Sequence, residues 1–306
     1  VARVAAVQTL EALSRRIATT EDLRAIVRTM KSLSAVSIRQ YESAVAALRD
    51  YSRTIELALQ PLLRDRPLAR AAAPAAAGRA SVVVFGSDHG LCGRFNDEVA
   101  HFAHERLREL DAAGTSLRCL AVGARVEGRL SALGETVDER LFLPGSVAGL
   151  AALAQSVLVQ IDTWGAADGV ARVLLIHHRR TGDAVAIPHM RQLLPLSQER
   201  LRNLAGRPWP SRRLQTFTMS AERLWPAVVR QYLFSSVYRA AAESLASEHA
   251  SRLASMQAAE RNIEEHLEEQ QADFRRRRQE TITEELLDIV AGFEAAASVS
   301  PEAFGG

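Results

Sequence analysis

The segment Gly86-Ser87-Asp88-His89-Gly90-Leu91-Cys92-Gly93-Arg94-Phe95-Asn96 places a carboxylate, an imidazole and a thiol within five positions, the residue types of a cysteine nucleophile system. It follows the β-branched and aromatic run Ser81 to Phe85 and precedes helical periodicity from Phe95 to Leu110. Strand-to-helix junctions of this kind are where α/β proteins often bind anions or hold nucleophiles. The spacing argues the other way. Side chains this close in a turn need not face one another, and the glycines match neither a P-loop nor the dinucleotide fingerprint. The expectation is a structural turn, with no catalytic, cofactor-binding or metal-ligating residue.

His177-His178 could supply half a metal site, but no second ligand cluster has suitable spacing, so a solvated strand end is expected. Cys92 and Cys119 lack CxxC or Cys/His spacing, which disfavours a zinc site or disulfide framework and fits a reducing compartment. Arg275 to Arg278, preceded by Glu264, Glu265, Glu268 and Glu269, read either as a charged helix surface or as a contact with an acidic partner. Four successive arginines point all around a helix, so one of them is expected near a partner helix.

Two long amphipathic stretches, roughly Thr9 to Leu63 and Thr218 to Ala297, flank these residues. Leu23, Ile26, Met30, Leu33, Tyr41, Val45, Leu48, Ile55 and Leu62 form one stripe; Leu253, Met256, Ile263, Leu267, Phe274, Ile282 and Ile289 form the other. A stripe with no local core needs a partner, which predicts an antiparallel coiled coil closed by both termini. Between them, strand candidates Ser81 to Phe85, Leu117 to Val122 and Ala171 to His177 alternate with helix candidates Phe95 to Leu110, Ala124 to Leu133 and Val147 to Thr163, as in a mainly parallel sheet. Ala184 to Ile187 and Leu214 to Met219 are weaker strand candidates around the Pro-containing stretch Pro195 to Pro210.

The fold class predicted is α/β with a long antiparallel helical coiled coil, a Rossmann-like domain being inserted between the terminal helices. The expected boundaries are 1–63 for the N-terminal helix, 64–80 for a Pro/Ala-rich linker, 81–216 for the α/β domain, 217–298 for the C-terminal helix and 299–306 for a tail. Of 306 residues 47% are hydrophobic and the net charge is +2, with one lysine, Lys31, among 38 basic residues. Interleaved charge of this kind disfavours a nucleic-acid binder. No uninterrupted apolar run reaches bilayer length, and the early Gln8 and Glu11 disfavour a signal peptide, so neither a direct bilayer span nor a leader is expected.

Three segments together resemble the gamma subunit of F-type ATP synthases. Ser87-Asp88-His89-Gly90-Leu91-Cys92-Gly93-Arg94-Phe95-Asn96 is similar to that family's S/T-D-R-G-L-C-G-G-L-N, departing at His89, Arg94 and Phe95. Val237-Tyr238 and Leu245-Ala246-Ser247-Glu248-His249-Ala250-Ser251-Arg252 with Met256 resemble V-Y…L-A-S-E-x-x-A-R-M. Arg278-Gln279-Glu280-Thr281-Ile282-Thr283-Glu284-Glu285-Leu286 with Ile289, Val290 and Gly292 resemble the closing R-Q-x-x-I-T-x-E-L-x-E-I-V-x-G, and Gln192 to Leu196 match Q-L-L-P-L. Around Met30 the match is looser, serine standing where lysine is usual, and Arg275 replaces an asparagine. These departures admit a divergent paralogue, such as the gamma-like subunit of an alternative N-type, sodium-translocating ATPase.

The resemblance implies a central-stalk rotor subunit that couples ion flow through the c-ring to ATP synthesis or hydrolysis. It implies alpha, beta and epsilon subunits and the membrane c-ring as partners, catalytic sites on beta, and a peripheral location on the cytoplasmic face of the bacterial inner membrane. It also implies that Asp88, Gly90, Cys92, Gly93 and Asn96 are a structural signature. Met30, Arg278, Gln279, Thr283 and Glu285 become contact or coupling residues, the last four touching the first helix near Met30 or the surrounding beta subunits. The rival readings are a soluble α/β enzyme using the Asp88 to Cys92 loop and a coiled-coil scaffold.

Overall fold

The protein is described by a computed structural model covering residues 9–65, 79–180, 186–212 and 217–298. It divides into two compact units, Val1–Lys31 with Met256–Gly306, and Ser32–Ser255. Two helices contribute to both, α1 (Leu10–Asp65) and α6 (Ala221–Ser298).

In the second unit, β1 (Arg79–Phe85), β2 (Ser116–Val122), β3 (Glu139–Leu141), β4 (Arg172–Arg179) and β5 (Ile187–Leu194) form one sheet in the order β3-β2-β1-β4-β5. The first four run parallel and β5 is antiparallel to β4. Helices cover both faces, which is why Ser81 to Phe85 is buried throughout rather than alternating. Val82, Val84, Cys119, Ala121, Leu174 and Ile176 face α2 (Phe95–Ala112) and α3 (Ala124–Ala132). Val83, Phe85, Leu120, Val122, Val173 and Leu175 face α4 (Leu150–Asp168), Tyr41 of α1 and Val237 to Ala246 of α6. A third cluster joins Ile55, Leu59, Leu62 and Leu63 to Leu201 and Leu204 of α5 (Gln198–Gly206) and to Val228 and Tyr232.

Several elements depart from the sequence reading. The helix α1 runs through Pro61 to Asp65, into the expected linker, because Leu59, Leu62 and Leu63 bury its last turns. Strand β5 begins at Ile187, where the weak candidate ended; Pro188 hides its strand pattern and is tolerated because β5 is an edge. Helix α5 occupies the Pro-containing stretch, started by Ser197, whose side chain caps Arg200 N at 3.4 Å. Phe217 to Met219 form no strand, and 213–216 lie outside the described residues. So do 66–78 of the expected linker, the tail 299–306, and Ala184 and Val185. Helix α4 with its preceding turn is long and apolar enough on average to cross a bilayer by composition, although Gln155, Gln160 and Asp162 interrupt its apolar run. Yet Leu150, Leu153, Ala154, Val157, Leu158, Ile161 and Trp164 are buried against the sheet, which accounts for its composition.

The covered positions of α1 follow a regular three-four spacing: Leu10, Leu13, Ile17, Thr20, Arg24, Val27, Lys31, Ser34, Ile38, Tyr41, Val45, Leu48, Ser52, Ile55, Leu59 and Leu62. The expected stripe is right from Tyr41 onward. Before it, Leu23, Ile26 and Leu33 are 50%, 56% and 63% exposed. Each stands one residue before a covered position, about 100° around the helix. In the first unit α1 and α6 are antiparallel, and polar contacts span the pair: Thr20 to Gln270 at 3.2 Å, Arg28 to Glu260 at 2.8 Å and Glu264 at 3.0 Å, and Lys31 to Glu260. Met256 and Leu267 are buried there, whereas Ile282 and Ile289 are exposed. The described part of α1 begins too late to reach them.

Candidate functional site

The loop after β1 lies where the strand order reverses, the place where α/β sheets bind ligands. Here its polar groups bind one another. Asp88 accepts from Ala124 N at 2.9 Å and from Leu143 N at 2.7 Å, tying the loop to the start of α3 and to the segment after β3. Asn96 accepts from Ser87 N at 3.0 Å and donates to Ser87 Oγ at 2.7 Å; Ser87 Oγ donates to His89 O at 2.8 Å. Cys92 is buried beside Ser87 Oγ and Asn96 Nδ2, and burial pushes its thiol pKa up. Both Asp88 oxygens are engaged by backbone, the His89 side chain is exposed, and the thiol is kept from ionising. A nucleophile needs the opposite on all three counts.

Within the loop segment Gly86 to Asn96, glycine is required at two positions. At Gly86 a Cβ would meet Val126 Cβ at 2.2 Å; Gly93 has φ 58°, and its Cβ would lie 2.9 Å from Ser255 Oγ. Gly90 has no such demand, its nearest neighbour being Arg125 at 3.8 Å.

The second signature segment closes over the loop. On α6, Ser251 Oγ donates to Cys92 O at 2.7 Å, and Arg252 donates to Gly90 O at 3.3 Å and to Glu248 at 2.7 Å. Glu248 and Arg252 are both buried. Burial raises the Glu248 carboxyl to about 7 against the pull of Arg252, and one of its oxygens has no partner. His249 stacks on Tyr41 of α1 with centroids 5.6 Å apart. Glu248, Ser251 and Arg252 belong to the second signature segment, and helix periodicity alone gives no sign that they reach a loop about 160 residues earlier.

The crevice between β1 and β4 is bounded by the same helix. A cavity of about 280 Å³ is lined by Phe95, Glu98, His178, Ser247, Ser251 and Ala254 among others. His177 and His178 are 3% and 1% exposed, not a solvated strand end, because α2 and α6 cover the end of β4. His178 stacks on Phe95 at 4.2 Å, and burial lowers both imidazoles to about 4. Among the described residues no group of three or more His, Cys, Asp or Glu is placed to hold a metal ion.

The closing motif lies elsewhere. Arg278, Gln279, Thr283 and Glu285 are exposed on α6, and Thr283 Oγ1 donates to Gln279 O at 2.8 Å. Met30 is flanked by Arg28 and Lys31, which pair with Glu260 and Glu264, at least 14 residues before Arg278. At 1.5 Å per residue that is about 20 Å, so the motif does not meet the first helix near Met30. All four arginines 275–278 are exposed, with Arg276 paired to Asp273 and Arg277 to Glu280 on the same helix. The expected approach of one of them to the partner helix is absent among the described contacts.

Fold and site together define an α/β unit built around two long terminal helices, in which the strand-end loop holds a helix. The chain belongs to the ATP synthase family, whose model matches residues 9–296. The ATP synthase gamma chain of Leptothrix cholodnii is 28% identical over 284 residues, 92% of this chain and 96% of that relative. A chain of the Euglena gracilis mitochondrial ATP synthase (OSCP/F1/c-ring, rotational state 3) shares the fold with a TM-score of 0.60 at 18% identity, covering 97% of this chain and 98% of that one. A chain of the Tetrahymena thermophila mitochondrial ATP synthase central stalk/c-ring gives 0.57 at 22%, covering 76% and 99%.

Proposed function

We propose that the chain is the gamma-type central-stalk rotor subunit of an F-type ATP synthase, coupling ion flow through a c-ring to ATP synthesis or hydrolysis in an alpha/beta hexamer. The observation that carries this is the family match across residues 9–296, nearly the whole chain, with relatives named as gamma chains. The site supports it. A rotor needs a helix that cannot slip against the domain it is driven by, and Arg252, Glu248 and Ser251 lock α6 to the strand-end loop through buried, charge-assisted contacts. The chain then acts without chemistry of its own, with ATP turnover on the beta subunits. An asymmetric shaft biases the states of otherwise identical surrounding sites by touching each differently.

The partners in this reading are alpha, beta and epsilon subunits and the c-ring, at the cytoplasmic face of the bacterial inner membrane. The exposed residues Leu286, Leu287, Ile289, Val290 and Phe293, with the closing-motif residues Arg278, Gln279, Thr283 and Glu285, face the hexamer. Met30 forms a separate contact further along the shaft. Purification of a tagged chain from native membranes tests the reading. The chain is expected to co-purify with alpha, beta and epsilon subunits and the c-ring in an ATP-hydrolysing complex. Recovery of the chain alone, or only with copies of itself, would overturn it.

A further inference from the structure

A cavity of about 420 Å³ within the second unit is bounded by α1 and by the segment leading out of α5. Arg49, Ser52, Arg53 and Glu56 occupy one face of α1, and Arg207 and Arg239 approach from α5's end and from α6. Four guanidinium groups thus line one space with a single carboxylate. Glu56 is already shared, taking Arg207 at 2.9 Å and Arg200 at 3.5 Å. Arg239 donates to the neutral Ser52 hydroxyl, at 3.2 Å. Neither Arg49 nor Arg53 has a carboxylate partner among the described residues, although they are i,i+4 neighbours of like charge, which disfavours the helix.

The concentration is local. The chain as a whole carries 38 basic and 36 acidic residues, and the Arg28 guanidinium of the same helix holds Glu260 and Glu264. Arg49 and Arg53, without a carboxylate, converge with Arg239, which has Glu243 nearby on its own helix, on a concave, partly apolar site, and such an excess of positive charge is relieved by an anion. The planar fork matches the oxygens of phosphate better than a halide's single point charge. We propose that this cavity is a binding site for a phosphate-bearing anion, gripped by Arg49 and Arg53 from α1 and by Arg239 from α6. The site does not depend on the rotor assignment. The same phosphate chemistry is offered by free inorganic phosphate and by an anionic phospholipid headgroup.

The test uses the purified full chain, the double variant Arg49→Gln/Arg53→Gln and a charge-matched control, Arg16→Gln/Arg261→Gln, at exposed arginines of the other unit. Glutamine keeps the helix propensity, and circular dichroism checks the fold. One arm titrates inorganic phosphate by calorimetry; the other measures sedimentation with phosphatidylglycerol vesicles against phosphatidylcholine vesicles. Saturable phosphate binding that weakens about tenfold or more in the 49/53 variant and not in the control supports the site with a free anion as ligand. Binding to phosphatidylglycerol alone, with the same variant pattern, supports it with a headgroup as ligand. No binding to either probe by the wild type, or an equal loss in variant and control, overturns the proposal.

Discussion

His178 should make the α/β unit sensitive to acid. The imidazole is 1% exposed and stacked on Phe95, with no hydrogen bond to either ring nitrogen and the Glu98 carboxylate 3.9 Å from Nε2, and burial lowers it from 6.5 to about 4. A histidine whose pKa is depressed by folding takes up its proton more readily in the unfolded chain. The folded state is therefore penalised as pH falls through 6.5 and until about 4, and is unaffected above that window. The slope is about 1.4 kcal/mol per pH unit, so between pH 6.5 and 5 His178 alone removes roughly 2 kcal/mol. That is a large share of the ~5–15 kcal/mol typical of a domain. Replacement by phenylalanine keeps the ring stack and removes the titration. Urea denaturation of wild type and His178→Phe, followed by circular dichroism at pH 7.5 and 5.0, should show a loss of stability on acidification smaller by about 2 kcal/mol in the variant. His249, also lowered to about 4, and Glu248, raised to about 7 and therefore favouring the folded state as pH falls, act equally in both proteins and drop out of the comparison, whereas the repulsion between His177 and His178 is part of the titration that the variant removes. An identical acid-induced loss in the two proteins would refute the reasoning.

Four further outcomes follow from the packing. Gly86→Ala should destabilise by about 1–3 kcal/mol, since its methyl would overlap Val126, and a chemical-denaturation midpoint equal to wild type would count against this account. Arg252→Met should cost about 1–3 kcal/mol at pH 7, since the Gly90 carbonyl and the Glu248 carboxyl lose their donor while the carboxyl, already raised to about 7, takes up a proton, with part of the loss recovered in Arg252→Met/Glu248→Gln; no recovery would mean that the carbonyl contacts at Gly90 matter more than the pair. Cys92 and Cys119 are buried with thiol pKa values raised, Cys119 to about 12, so a thiol reagent should label both slowly in the native chain and fully in denaturant. Thr283→Ala/Glu285→Ala should leave the urea midpoint of the isolated chain unchanged, because both side chains are exposed, while lowering ATP-driven ion pumping relative to hydrolysis in membrane vesicles.

Much of the architecture was written locally. Ser81 to Phe85 and Leu117 to Val122 read as strands of a mainly parallel sheet because such runs alternate with helical periodicity, and Tyr41, Val45, Leu48, Ile55 and Leu62 mark the covered face of α1 because large side chains recur at heptad spacing. The segments Ser87 to Asn96 and Leu245 to Met256 were each recognisable as signatures. Their meeting was not, since a hydrogen bond from Arg252 to Gly90 depends on how α6 crosses the end of β1 rather than on either segment's own pattern.

The same limit explains the errors. Leu23, Ile26 and Leu33 offer α1 an apolar stripe of its own, yet Thr20, Arg24, Val27, Lys31 and Ser34 are the covered positions, Thr20 bonding Gln270 and Lys31 pairing with Glu260. Ile282 and Ile289 read as seam residues, but the described part of α1 does not extend to them. Sequence by itself determined the two long helices, the strands β1, β2 and β4 with the helices between them, and the family they belong to, since those follow from local pattern and motif order, whereas β5 and the helix at Gln198–Gly206 were hidden by Pro188 and the surrounding prolines. Only the tertiary structure decided which of two helix faces is covered, that His177 and His178 are sealed from water, and where the arginines converge, because each depends on the register between segments far apart in the chain.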